Sequence, residues 1–271
     1  MQRQVYPRDS PLLSMQELGI TLTHDRGVNP VVDLFIENPE AVATSETIRR
    51  TDDGLWFVDR VTGPQSAMDA LDEVYSTTDH GDRCVTAHDD CAGAWEYDVL
   101  ERGPTNRTIS TYATEPGACH TVLDIAASTL DSNVLFDTLR RGNRTEWRLL
   151  IQAEEELGEL YEKLDDRVSS GVSLQFDRLQ RPTDRSDGGV TTTGLPYEQR
   201  AALEAAVAAG YYETPRETHL SDLAAETEIP ESTLRYRLRR AEAWLATEVF
   251  DASDPSERSP VNETELARTE S

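Results

Sequence analysis

The chain has 271 residues, room for about two domains at ~100–200 residues each, with 37% hydrophobic residues, mean hydropathy −0.57 and formal net charge −25. No run approaches the ~18 consecutive apolar residues of a membrane helix. The opening MQRQVYPRDSPLL has no apolar signal-peptide core, and three cysteines make no disulfide framework in a chain this long. Membrane-spanning and secreted classes are excluded on these grounds, and a cytoplasmic protein is expected.

Residues 47–51 and 55–61 flank Asp53-Gly54, a hairpin signal. Pro64 opens a helix with Met68, Leu71 and Tyr75 on one face, and residues 83–87 read as a third strand. A hairpin over 94–100 and 108–114 follows, then a short helix near 122–130. Residues 133–141 and 145–152 read as strands around Gly142-Asn143. Leu157, Leu160, Tyr161, Leu164 and Val168 form a helical stripe that Gly171 stops, and Val172, Leu174 and Phe176 alternate in a final strand. The order ββαβ thus occurs twice. It predicts an α+β domain over residues 1–180, an antiparallel sheet with helices packed on one face.

Residues 181–194, RPTDRSDGGVTTTG, have linker composition, and 251–271 read as a disordered acidic tail. Between them, 195–250 predict an all-α trihelical domain. Pro196 sits in the first turn of a helix whose inward stripe is Leu203, Ala206 and Val207, ended by Gly210. Thr218 is the expected N-cap of a short helix with Leu220, Leu223 and Ala224 on one face. After the turn 227–230, Leu234, Leu238, Ala241 and Leu245 mark a third helix. A short helix, a tight turn and a longer helix make a helix-turn-helix, whose second helix can enter a DNA major groove.

The outward face of the third helix carries the chemistry. At 100° per residue, Tyr236 points straight out, flanked by Ser232, Thr233, Arg235, Arg239 and Arg240, with Arg237 nearer the boundary. ESTLRYRLRR holds four arginines and one acid, Glu231, in a chain with 51 acids and 26 bases. Arginine suits bidentate guanine contacts and phosphates, and Ser, Thr and Tyr can donate to either. The other reading of the trihelical end is a protein-interaction module that contacts another protein.

Enzyme signatures are missing: there is no phosphate-cradling Gly-Lys loop, no G-x-S-x-G and no H-E-x-x-H. No enzymatic activity and no cofactor are expected. One soft-ligand constellation, Cys84-x3-His88-x2-Cys91 with Cys119-His120, is of a type zinc prefers, but its spacing lacks a paired C-x2-C. Buried small side chains are the commoner fate of cysteine, so no metal is assigned.

The segment GLPYEQRAALEAAVAAGYYETPRETHLSDLAAETEIPESTLRYRLRRAEAWL closely resembles the helix-turn-helix domain of the haloarchaeal bacterio-opsin activator family of transcription regulators. Glu198-Gln199-Arg200, AAVAAGYYETPR, DLAAE and STLRYRLRRAE fall in register. CHTVLDIAA, LRRGNRTEWRLLI and GVSLQFDRL resemble, more weakly, the domain that accompanies it. The resemblance implies transcription regulation through promoter DNA, with Ser232 to Arg240 on the recognition helix. A homodimer and a small-molecule effector of the N-terminal domain are both compatible with it. The acid excess and the single lysine, Lys163, fit salt-in halophilic archaea, where surface carboxylates keep proteins soluble. Two positions depart from the family: Glu228 stands where the turn usually carries glycine, which is tolerated at negative φ, and Pro230 replaces a Ser/Thr cap.

Overall fold

The computed structural model describes residues 15–51, 53–77, 83–85, 94–114, 120–130, 134–152, 157–177 and 194–251. They fall into two compact units, Met1–Thr183 with Thr193–Ala201, and Asp184–Thr192 with Ala202–Ser271.

Among the described residues the first unit is an eight-stranded antiparallel sheet carrying four helices. In chain order it runs β1 (Met15–His24), α1 (Pro30–Glu37), β2 (Val42–Arg50), β3 (Gly54–Thr62), α2 (Gln65–Thr77), β4 (Trp95–Arg102), β5 (Asn106–Thr114), α3 (Val122–Thr129), β6 (Leu135–Arg141), β7 (Arg144–Gln152), α4 (Leu157–Asp165) and β8 (Val172–Phe176). The predicted α+β class is what the structure has. The hairpins at 54 and 142–143 and the helices α2, α3 and α4 fall where the sequence places them. Gly142 takes φ +56° in a two-residue turn between paired Arg141 and Arg144, a conformation open to a residue without Cβ.

The spatial strand order is β4-β5-β3-β2-β6-β7-β1-β8. The chain makes two βαββαβ passes, β1 to β4 and β5 to β8, rather than the two ββαβ passes expected. Their first strands are exchanged: β5 lies between β3 and β4, and β1 between β7 and β8. The two halves meet at β2 and β6, where Val42–Thr44 pair with Arg141–Leu139. Each half therefore takes a central strand from the other, which ties the chain from Met15 to Phe176 into one cooperative sheet.

Sequence reading passed over β1 and α1. Leu18, Ile20 and Leu22 alternate inward on β1. The Asn29 side chain caps α1 by accepting from the amides of Val31 and Val32, with Pro30 at the start of the helix. The third strand expected at 83–87 is not a ladder: Cys84 makes one isolated bridge, to Thr121. The reason lies in the next residue, since Val85 donates to the His120 carbonyl and accepts from Ser169, two different neighbours. Residues 86 and 87 lie outside the described residues. The α4 helix ends at Asp165, so Val168 packs from the following turn, and Tyr161 is 49% exposed against the Phe176 ring.

All four helices cover one face of the sheet. Leu18, Ile20, Phe57, Trp147 and Leu149 pack under α3 and α4, while Ala43, Val61 and Ile109 pack under α1 and α2. Between these cores runs a polar ring. Ser45 Oγ donates to Asp59 at 2.6 Å and contacts Thr138 Oγ1, Arg83 donates to Thr138 at 3.3 Å, and Arg83 forms an ion pair with Asp59. Both ionic side chains are 4% exposed, and the Arg83 guanidinium lies 4.6 Å over the Phe57 ring.

The second unit holds most of the trihelical region: α5 (Tyr197–Ala208, whose first turn belongs to the first unit), α6 (Leu220–Glu226) and α7 (Glu231–Asp251). No described helix is long and apolar enough to cross a membrane.

Candidate nucleic-acid interface

Leu234, Leu238 and Ala241 of α7 are 0%, 3% and 0% exposed, and Ala202, Leu203, Ala206, Leu223 and Ala224 supply the buried faces of α5 and α6. The i, i+4, i+7 stripe thus faces the trihelical core. Leu245 is only half-buried. Val207, expected in the stripe, is 61% exposed. At 100° per residue Ala206 already occupies the inward direction beside Ala202 and Leu203, and Val207 turns a further step into solvent.

α5 ends as foreseen. Gly210 takes φ +69°, Tyr211 donates back to Ala206 and Gly210 to Val207, closing the helix in a Schellman motif. The loop beyond is fixed by aromatic residues that the sequence reading did not single out. Tyr212 donates to Glu242 on α7 at 2.7 Å. Burial, then this carboxylate, pushes the Tyr212 hydroxyl well above the ordinary tyrosine range. The Arg216 guanidinium lies 4.6 Å over the Tyr211 ring.

The two ends of α6 each depart from expectation. The N-cap of α6 is His219, one residue after Thr218; its backbone is extended, its carbonyl accepts from Asp222 and Leu223, and its side chain makes no capping bond. Glu228 adopts φ +54°, not the negative φ expected of a non-glycine residue there. The turn geometry overrides the residue, because Ile229 must donate back to Ala224 while Leu234 donates to Pro230 to start α7. A left-handed non-glycine residue costs about 1–2 kcal/mol, and glycine loses about 0.5–1 kcal/mol more backbone entropy on folding. Glu228→Gly is therefore expected to stabilise by up to about 1 kcal/mol. A thermal melt of the full chain in concentrated salt checks it, and a lowered melting temperature refutes it.

Ser232, Arg235, Tyr236, Arg239 and Arg240 are exposed on α7, while Thr233 and Arg237 are half-buried at the edges of that face. Tyr236, at 63%, is an apolar ring held in water. Arg235 forms an i, i+4 ion pair with Glu231. Glu231, the one acid of that stretch, thus holds the Arg235 guanidinium on the outer face. The geometry offers one face with a hydroxyl, a phenol and three guanidinium groups within residues 232–240.

Of the soft-ligand constellation, Cys84 is buried and bridges to Thr121, beside His120. His88, Cys91 and Cys119 lie outside the described residues. Among the described residues no three metal-type side chains cluster.

Two family models match the chain. One family model, described as an N-terminal domain, matches residues 17–185. Another, described as an HTH DNA binding domain, matches 195–247. Two curated proteins, each described as a dimethyl sulfoxide reductase transcriptional activator, are similar to the chain. That of Haloferax volcanii is 39% identical over 97 residues, 35% of this chain and 45% of the relative. That of Halobacterium salinarum is 47% identical over 94 residues, 33% and 42% respectively. The chain spans less than half the length of the curated relatives it matches. With an antiparallel domain matched along its length and a trihelical domain whose third helix bears a basic outer face, the chain belongs to the haloarchaeal bacterio-opsin activator-like family of helix-turn-helix transcription regulators.

Proposed function

We propose that the protein is a sequence-specific DNA-binding regulator acting on promoter DNA in the cytoplasm. One observation carries this reading: α7 buries Leu234, Leu238 and Ala241 and exposes Arg235, Tyr236, Arg239 and Arg240 opposite them. A helix serving only as a bundle surface in so acidic a chain has no need to gather four arginines within ten residues. The alternative, a trihelical end that contacts another protein, is not favoured by the match of 195–247 to a DNA-binding domain. The relatives are described as activators, which favours activation as the direction of control. In this reading residues 1–180 are the regulatory or assembly domain, taking a small-molecule effector or a second copy of the chain. Residues 181–194 join it to the DNA-binding domain at 195–250, with 251–271 as an acidic tail.

The N-terminal part of a recognition helix meets base edges, so Ser232, Thr233, Arg235 and Tyr236 are the base readers. Arg239 and Arg240, one turn on, are the phosphate anchors. Concentrated cytoplasmic salt removes much of the counterion-release contribution, so base and shape contacts must supply more of the discrimination. Arg235→Ala is expected to cost about 1–3 kcal/mol on a selected site and to relax preference at one base pair. Arg240→Ala is expected to weaken all sequences alike and to flatten the salt dependence. Binding of wild type and both variants to a selected duplex and a scrambled one, in concentrated potassium chloride, tests this. A wild type without sequence preference, or an Arg235→Ala protein with unchanged preference, overturns it.

A further inference from the structure

The matched DNA-binding domain begins at residue 195, yet Thr193–Ala201 fold with the antiparallel unit. Leu195 is 1% exposed and Arg200 2% exposed, the latter among the largest fully buried side chains of the protein. The hydrogen bonds of Arg200 reach far back in the chain: Nη1 donates to Thr62 Oγ1 at 2.6 Å, and Nη2 to the Glu40 carbonyl at 2.8 Å and the Thr62 carbonyl at 3.4 Å. Glu40 lies in the turn between α1 and β2, and Thr62 ends β3, opposite Val42. The same turn is gripped a second time, because the Glu40 side chain is hydrogen-bonded to the Tyr197 hydroxyl. Burial and that carboxylate push Tyr197 up to about 12. The guanidinium lies 5.8 Å over the Tyr197 ring.

A buried arginine is expensive to desolvate, and an apolar residue of similar volume often holds a structure as well. What the planar fork adds is direction: it fixes several acceptors at once, as a flexible ammonium cannot. Here the acceptors sit on two different elements of the antiparallel sheet domain. α5 continues without a break from Tyr197 to Ala208, passing into the second unit after Ala201. A shift of the 38–41 turn therefore moves the root of the helix that supplies Leu203 and Ala206 to the trihelical core.

We propose that Arg200 and Tyr197 form a clasp that couples the antiparallel domain to the DNA-binding helices, with Arg200 the positioning residue. Coupling of this kind is reciprocal: whatever the turn does to α5, occupancy of the DNA-binding helices does to the turn. Only this DNA-linked half rests on the function proposed above.

Two measurements on the full chain test the clasp. In the first, a specific protease site is placed within residues 184–192 and cut, and the product is run by gel filtration in concentrated potassium chloride. The wild-type halves are expected to co-elute. Arg200→Ala halves are expected to separate, and Tyr197→Phe, which loses only the Glu40 bond, to fall between. Arg200→Lys keeps the charge and the fold but cannot span the acceptors, so it too should separate. Separation of the wild-type halves, or co-elution of both Arg200 variants, overturns the clasp. In the second, amide hydrogen exchange is followed with and without a duplex selected by the wild type from a randomised pool. The amides of 38–43 and 60–63 are expected to slow several-fold on DNA in wild type and not in Arg200→Lys, while β1 and β7 exchange alike in both. Bound wild type with unchanged exchange at 38–43 and 60–63 overturns the coupling. A wild type that selects no duplex counts against the DNA reading, and the clasp is then decided by co-elution.

Discussion

Asp59→Ala is expected to destabilise the antiparallel domain by about 3–5 kcal/mol, the cost of leaving one member of a buried ion pair without the other. Asp59 sits on the same face of β3 as Leu55, Phe57 and Val61, all buried, so its carboxylate points into the core rather than to water. Its partner Arg83 is equally buried and lies over Phe57. Removing the carboxylate leaves a guanidinium in a space closed by aromatic and aliphatic walls, and takes an acceptor from Ser45 as well. Because Thr138 on β6 joins the ring through Ser45 and Arg83, the damage reaches the β2–β6 seam between the two halves of the sheet. Denaturant unfolding of the full chain in concentrated salt measures it, with the loss read at unchanged m-value. Arg83→Met added to Asp59→Leu removes both charges and is expected to recover much of the loss, since a well-packed apolar pair is often no worse than a buried ionic one. A cost below about 1 kcal/mol, the range of exposed ion pairs, would mean that water reaches the site.

Much of this architecture is written in local sequence, and the failures have physical causes. Asp53-Gly54 and Gly142-Asn143 mark their hairpins because turn geometry is decided within a few residues. The stripe Leu234, Leu238 and Ala241 gives the correct phase of α7 because burial follows the helical period. The exchange of β1 and β5 has no such local signature. Which strand lies between β7 and β8 depends on contacts more than 120 residues apart, and periodicity is blind to them. Arg200 was legible only as part of Glu198-Gln199-Arg200; that a charged side chain would be buried against Thr62 follows from tertiary packing, where base rates favour exposure. Glu228 shows the opposite error. Residue preference pointed to negative φ, and the demands of two flanking helices imposed φ +54°.

Leu238→Ala is expected to cost the trihelical domain about 2–5 kcal/mol, the span for truncating a buried leucine without full collapse of the cavity. Leu238 is 3% exposed on the helix that also carries the arginines, so the core that holds it fixes the rotation of α7 and hence the direction of Arg235 and Tyr236. The loss is a large share of the ~5–15 kcal/mol that stabilises a typical domain. DNA binding should therefore fall with the folded fraction, and β1 to β8 should keep their hydrogen-exchange protection. Tyr236→Ala is the counterpart on the opposite face: with the side chain 63% exposed, it should leave the melt within about 0.5 kcal/mol of wild type. Any loss of affinity it causes is then a loss of contact. Measured together by melting and by binding to a selected duplex, the pair separates support from contact on one helix. If Leu238→Ala melts like wild type, or Tyr236→Ala unfolds the domain, the phase of α7 is inverted and the basic face does not meet DNA.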